Sequence, residues 1–148
     1  MIEIYENGAR LKNILLVDIE RGGLFRYNSQ YFMKINYLNY CMREYYIKNN
    51  LDLDLYNVIN LNTGVILPLD TDLEVEGSVN SMPKKYSLQN VAKTEYKNIA
   101  TGETFMYNAT MFIKGEKRDH NIDIDIDTCR VVCVNDSELV SPINVTFY

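Results

Sequence analysis

The chain has 148 residues, 47% of them hydrophobic and 24% charged, and a formal net charge of −5, a composition ordinary for a globular protein. The charge is unevenly spread: residues 1–118 hold 14 basic and 14 acidic side chains, whereas residues 119–148 hold one Arg against six Asp and Glu. So acidic a tail region does not suit a phosphate backbone, where Lys and Arg supply the affinity, and nucleic acid is not an expected partner. Cys41, Cys129 and Cys133 make an odd set without framework spacing, which suits reduced thiols in a cytosolic setting. No charged-then-apolar leader opens the chain and no apolar run reaches membrane-spanning length, so no membrane partner is expected.

Taken in order, residues 2–5 alternate and meet Asn7-Gly8, which predicts a hairpin into a strand near Leu11–Val17. Asp18 to Gly23 is a polar turn. Leu24–Asn28 and Tyr31–Ile35 read as short strands joined at Asn28-Ser29-Gln30. Tyr37, Leu38, Cys41, Met42, Tyr45 and Tyr46 then recur at one stripe of a period near 3.6, predicting a helix at about 36–50. Residues Leu51–Leu61 alternate, Asn62-Thr63-Gly64 turns, and Val65–Leu69 returns, with Pro68 marking an edge or a bulge. Asp70-Thr71-Asp72 turns again into Leu73–Glu76.

The segment Ile19–Ile35 returns at Ile99–Gly115 with seven of seventeen positions identical, among them Gly22/Gly102, Phe25/Phe105, Tyr27/Tyr107, Phe32/Phe112 and Lys34/Lys114. Farther on, Ile59/Ile124, Leu61/Ile126, Leu69/Val134 and Val75/Val140 align at an offset of 65 instead of 80. The difference equals the inserted helix. The expected organisation is therefore a first β module at 1–79 with the helical insertion, a linker at 80–97, and a second β module at 98–148. Modules this small stand at the lower edge of independent stability, so they are expected to pack together and share a core.

Few constellations carry chemistry. Asp123, Asp125 and Asp127 alternate with Ile122, Ile124 and Ile126, which on a strand puts the carboxylates on one, solvent-facing side. Neighbouring carboxylates about 6.5–7 Å apart are too far to chelate one cation unaided. His120 is the single histidine, with no second ligand in a metal-binding spacing. No phosphate-binding loop, nucleophile elbow or dinucleotide fingerprint is present. No cofactor is expected. Arg26, Lys34, Tyr107 and Lys114 are candidates for a pair of related ligand sites, since both copies hold Tyr-Asn and Lys at matching positions, a small nucleotide being one candidate ligand. Tyr37, Met42, Tyr45 and Tyr46 on the inserted helix are candidates for a protein interface, because aromatic and Met side chains suit one.

The pattern D-I-E-x-G-x-L-F-R-Y-N-x-x-Y-F-M-K-I, followed by N-V-I-N-L-N-T-G-x-I and D-T-D-x-E-V, resembles a module of small, mostly uncharacterised phage-encoded β proteins. The resemblance covers about Asp18–Val79 well and Ile99–Ile143 more loosely, and Cys129 stands where the first copy has Gly64. It implies a small β-barrel of SH3-like size, and it carries over no catalytic residue. The expected fold is mainly β, with one inserted helix and two tandem SH3-like, partly open barrels packed together. The expected function is a non-enzymatic phage or mobile-element protein in the host cytoplasm that binds a host or phage protein, blocking a host defence protein or sequestering its nucleotide signal. A virion structural or decoration protein is the alternative, and a homo-oligomer is compatible with both.

Overall fold

Alternating apolar runs broken by Gly, Asn and Asp become short strands joined by tight turns. The computed structural model describes residues 1–5, 11–35, 48, 57–118 and 120–148. The expected helix at about 36–50, with Tyr37, Met42, Tyr45 and Tyr46, falls outside the described residues, Lys48 apart. The first sheet contains β2 (Lys12–Leu15), β3 (Leu24–Tyr27), β4 (Gln30–Lys34), β5 (Val58–Asn60), β6 (Ile66–Leu67) and β7 (Glu74–Gly77), in the order β2-β7-β3-β4-β5-β6. A 3₁₀ turn at Leu16–Asp18 follows β2. The β3–β4 hairpin turns on Asn28 and Ser29, both at positive φ (50° and 62°), the conformation of a two-residue turn matched to strand twist. The Pro68 edge signal is met, since among the described residues β6 is the last strand of its sheet.

The second sheet repeats this ladder with β9 (Thr94–Glu95), β10 (Thr104–Tyr107), β11 (Thr110–Lys114), β12 (Asp123–Asp125), β13 (Val131–Val132) and β14 (Leu139–Phe147), and a 3₁₀ turn at Tyr96–Asn98. Its register matches pair by pair. Phe25 opposite Gly77 becomes Phe105 opposite Pro142, and Lys34 opposite Val58 becomes Lys114 opposite Asp123. Asn108 and Ala109 turn the second hairpin at φ 49° and 59°. Cys129 holds φ 60° where Gly64 holds 76°, so the departure at that position leaves the turn conformation intact. Both turns are tied alike: Asn60 Oδ1 accepts from the N–H groups of Asn62 and Thr63, and Asp125 Oδ1 from those of Asp127 and Thr128.

Three apolar clusters hold the strands. Leu16, Ile19, Phe25, Phe32, Val58 and Val75 fill the outer side of the first sheet. Tyr96, Ile99, Phe105, Phe112, Val134 and Val140 fill the matching side of the second. Phe25 stacks on Phe32 at 5.3 Å, and Phe105 on Phe112 at 5.4 Å. Between the sheets lies a common core, where Met33, Ile59 and Leu61 meet their counterparts Ile113, Ile124 and Ile126. Hydrogen bonds also cross: Glu116 N–H donates to the Gly64 carbonyl at 2.8 Å and the Arg118 guanidinium to the Ile66 carbonyl at 2.9 Å.

The fold is mainly β, in two sheets, neither of which closes into a barrel among the described residues. Three expectations are corrected. The opening strand β1 (Ile2–Ile4) does not form a hairpin with β2; it pairs in parallel with β14, in the other sheet. Ile2 and Ile4 there extend the buried row of Val145 and Phe147. The stretch read as a linker at 80–97 carries β8 (Lys84–Leu88), paired antiparallel with β14, as well as β9. Finally, Asp123 does not face solvent. It is fully buried, while Asp127 is exposed. Strand β12 has the common core on one face and the Phe105–Phe112 cluster on the other, so both faces of its first residues are covered.

Candidate functional site

Of the sequence candidates, Arg26, Lys34, Tyr107 and Lys114 lie among the described residues and are placed individually, while Tyr37, Met42, Tyr45 and Tyr46 lie outside them. Lys34 and Lys114 end equivalent strands, and each folds its ammonium group under the 3₁₀ turn of its own copy. Lys34 Nζ donates to the carbonyls of Leu16 (3.0 Å) and Ile19 (2.8 Å). Lys114 Nζ donates to those of Tyr96 (3.1 Å) and Ile99 (2.7 Å). A turn without its own side-chain cap thus finds its missing donor on a neighbouring strand. Burial pushes both ammonium groups below the usual lysine value; Arg21 adds to this at Lys34, while Asp123 and Asp136 oppose it at Lys114. These lysines bind the fold. Arg26 lies across β3 from Glu76 on β7 and pairs with it, beside a shallow surface depression bordered by Asn28 and Tyr31. Tyr107 titrates above the usual tyrosine value through desolvation and the Glu138 carboxylate. His120 is exposed in a bend.

The second copy contains a cluster that the first lacks. Asp123 stands where the first copy has Val58, and Tyr96 where it has Leu16. The Tyr96 hydroxyl donates to Asp123 Oδ1 at 2.7 Å, and the Val134 N–H donates to Oδ2 at 3.0 Å. The Lys114 ammonium sits 4.2 Å over the Tyr96 ring. Burial dominates the Asp123 carboxyl and raises it to about 7, although Tyr96, Val134 and Lys114 all favour its ionised form. The Tyr96 phenol is raised, by burial first and then by Asp123. Both carboxylate oxygens are engaged and no solvent reaches the acid, so the pair replaces an apolar contact with a saturated polar one. A sequence signal existed: both positions break the apolar match between the copies. Cys129 is likewise sealed, its thiol pushed up to about 11 by burial, and so is a poor nucleophile. No cluster of three or more His, Cys, Asp or Glu suited to a metal occurs among the described residues. No helix among them is long and apolar enough to cross a membrane.

A wide groove marks where the copies part. In the first, the chain leaves β7 and folds over the preceding turn: the Glu20 N–H donates to the Val79 carbonyl, and the Ser81 N–H to the Glu20 carboxylate. In the second, β14 runs straight on between β8 and β1. The ground beside Ala100 and Asn144, which the chain covers in the first copy, is part of a groove of about 710 Å³. Its rim carries Leu88 and Val91, each at least 60% exposed, and its wall carries Gln89, Asn98 and Glu103. None of these was a sequence candidate, because the groove arises from how two chain segments diverge in space. Comparison with protein-family models, curated proteins and solved structures returns no match.

Proposed function

We propose that this chain is a non-catalytic binding protein of phage or mobile-element origin, built on two SH3-like β modules with a helix inserted in the first. In this proposal it acts in the host cytoplasm by occupying a host protein, a defence protein being the expected target. The observation that supports it is the groove beside β14. Its amide-bearing walls and exposed apolar rim suit a protein surface or segment, and the titratable groups nearest to a chemical site are consumed by internal hydrogen bonds. The nucleotide alternative loses ground, because Lys34 and Lys114, two of its candidate contacts, donate to turn carbonyls.

The test is affinity capture of the tagged protein from infected cells, with native mass spectrometry of the eluate. A host protein at fixed stoichiometry is the expected result, and Val91→Glu in the groove should weaken capture about tenfold or more. Met42→Ala and Tyr45→Ala, tested beside it, separate a contact by the 36–50 segment from one in the groove. Recovery of phage structural proteins alone would replace the proposal with the virion role. A bound molecule of nucleotide mass would restore sequestration.

A further inference from the structure

Among the described residues, nothing pairs with the outer edge of β8. Strand β8 pairs with β14 through Lys85 and Ser87: the flanking bonds, Tyr148 N–H to the Pro83 carbonyl and Gln89 N–H to the Pro142 carbonyl, fix the alternation. The peptide groups of Lys84, Tyr86 and Leu88 therefore point away from β14. No main-chain partner meets them among the described residues. Their side chains lie on the face of the buried residues they pair with, since Tyr86 is opposite Val145 and Leu88 opposite Ile143. Yet Tyr86 is 51% and Leu88 63% exposed. A row of core residues thus runs past the end of the core into solvent.

Edges are commonly guarded by lysine, but here the two lysines are turned aside. Lys84 reaches back to Asp127 at 3.5 Å, and Lys85 lies over the Tyr148 ring at 5.6 Å. The stretch Tyr86-Ser87-Leu88 is left uncharged. It is also self-complementary. Two β8 strands set antiparallel about Tyr86 put Lys84 opposite Leu88, Lys85 opposite Ser87 and Tyr86 opposite its own copy, so no lysine meets a lysine. The three outward residues are all of the hydrogen-bonding kind in that register, which allows about six main-chain hydrogen bonds, two per pair.

We infer that a second copy of this chain covers this edge, joining the two β14 sheets through a two-fold β8–β8 pairing centred on Tyr86. The interface is isologous and closes at two copies.

The experiment is sedimentation equilibrium of the full chain from micromolar to millimolar concentration, with two variants. Tyr86→Pro removes an N–H that points outward and leaves the bonds to β14 in place, a position where an edge tolerates proline. Leu88→Lys puts a charge opposite Lys84 of the second copy at a side chain already in solvent. The wild type should reach twice the mass of one chain, and each variant should raise the dissociation constant at least about tenfold with an unchanged far-UV spectrum. If Tyr86→Pro does not fold, Leu88→Lys and concentration-dependent exchange protection of the Lys84, Tyr86 and Leu88 amides decide the matter alone. A wild type that stays monomeric at millimolar concentration overturns the inference, as does a dimer that survives Leu88→Lys. Protection of these amides only in the presence of a captured host protein would assign the edge to a foreign strand and overturn it too. Leu88 also stands on the groove rim, so capture through the groove is read separately by Val91→Glu, which lies outside β8.

Discussion

At the scale of single residues, the Asp123–Tyr96 pair is the most consequential feature. Val58 and Leu16 show that the same ladder accepts an apolar pair at these positions. Near pH 4, where the folded acid still holds its proton, Asp123→Val alone strands the Tyr96 hydroxyl and should cost about 1–3 kcal/mol. Adding Tyr96→Leu should recover part of that loss, with a coupling of about 0.5–3 kcal/mol in a urea-unfolding cycle. Purely additive losses would mean that the pair does not act as a unit. The same acid makes stability depend on pH. Its carboxyl is raised by burial to about 7 in the folded chain, against an ordinary aspartate value of 3.8. Between those values the folded state therefore holds a proton that the unfolded state has released. Stability should be greatest below about pH 4, fall as pH rises towards 7 and level off above it, a contribution on the order of 3–5 kcal/mol. Other carboxylates titrate in this range as well, so the informative quantity is wild type minus Asp123→Val. A difference that is flat between pH 4 and 7 would refute the assignment.

At the scale of elements, the turns and hairpins were the most legible part of the chain. The Asn28 and Asn108 hairpins, the edge at Pro68 and the aromatic pairs on β3–β4 and β10–β11 all follow from local preferences that need no distant partner. The misreadings share a cause. Ile2 and Ile4 alternate as any strand does, and nothing local says that their neighbour is β14 at the far end of the chain. Asp123 looks like the polar half of an amphipathic strand, because its partner Tyr96 is 27 positions away and only the packed fold brings them together. The groove was illegible for the same reason. The turn at Gly64 shows how tightly elements meet: a Cβ there would lie 2.7 Å from the Gly102 nitrogen and 2.9 Å from the Lys114 carbonyl oxygen. Both are backbone atoms and cannot swing aside, and the positive φ adds strain. Gly64→Ala should therefore destabilise by about 2–4 kcal/mol in thermal unfolding. A loss below about 0.5 kcal/mol, the size of an ordinary surface change, would show that the junction has room to relax.

At the scale of the whole molecule, the common core governs behaviour. Each sheet keeps a small cluster to itself, but Met33, Ile59 and Leu61 of one and Ile113, Ile124 and Ile126 of the other belong to a single shared cluster. Halves this small, sharing so much of their core, are expected to unfold together. Calorimetry should show one cooperative transition, with equal calorimetric and van't Hoff enthalpies. Ile59→Ala, at a cost of about 2–5 kcal/mol, should lower that single transition without splitting it. Two resolved transitions would mean that the sheets are independent domains in contact.

The junction also has a symmetry. Gly22 lies against Cys129, and Gly102 against Gly64, so each turn meets the counterpart of the turn its sibling meets. These two contacts exchange as they would across the axis of a dimer. In a true dimer every substitution at the axis appears twice, and a change tolerable once is often fatal when doubled. Here each change appears once. Cysteine can occupy the left-handed turn on one side while glycine keeps it on the other, and an acid can be buried in one half while valine holds the same place in its twin. Fusing the halves into one chain frees each to depart from the other, so one ladder can hold the architecture while its sibling acquires what is new.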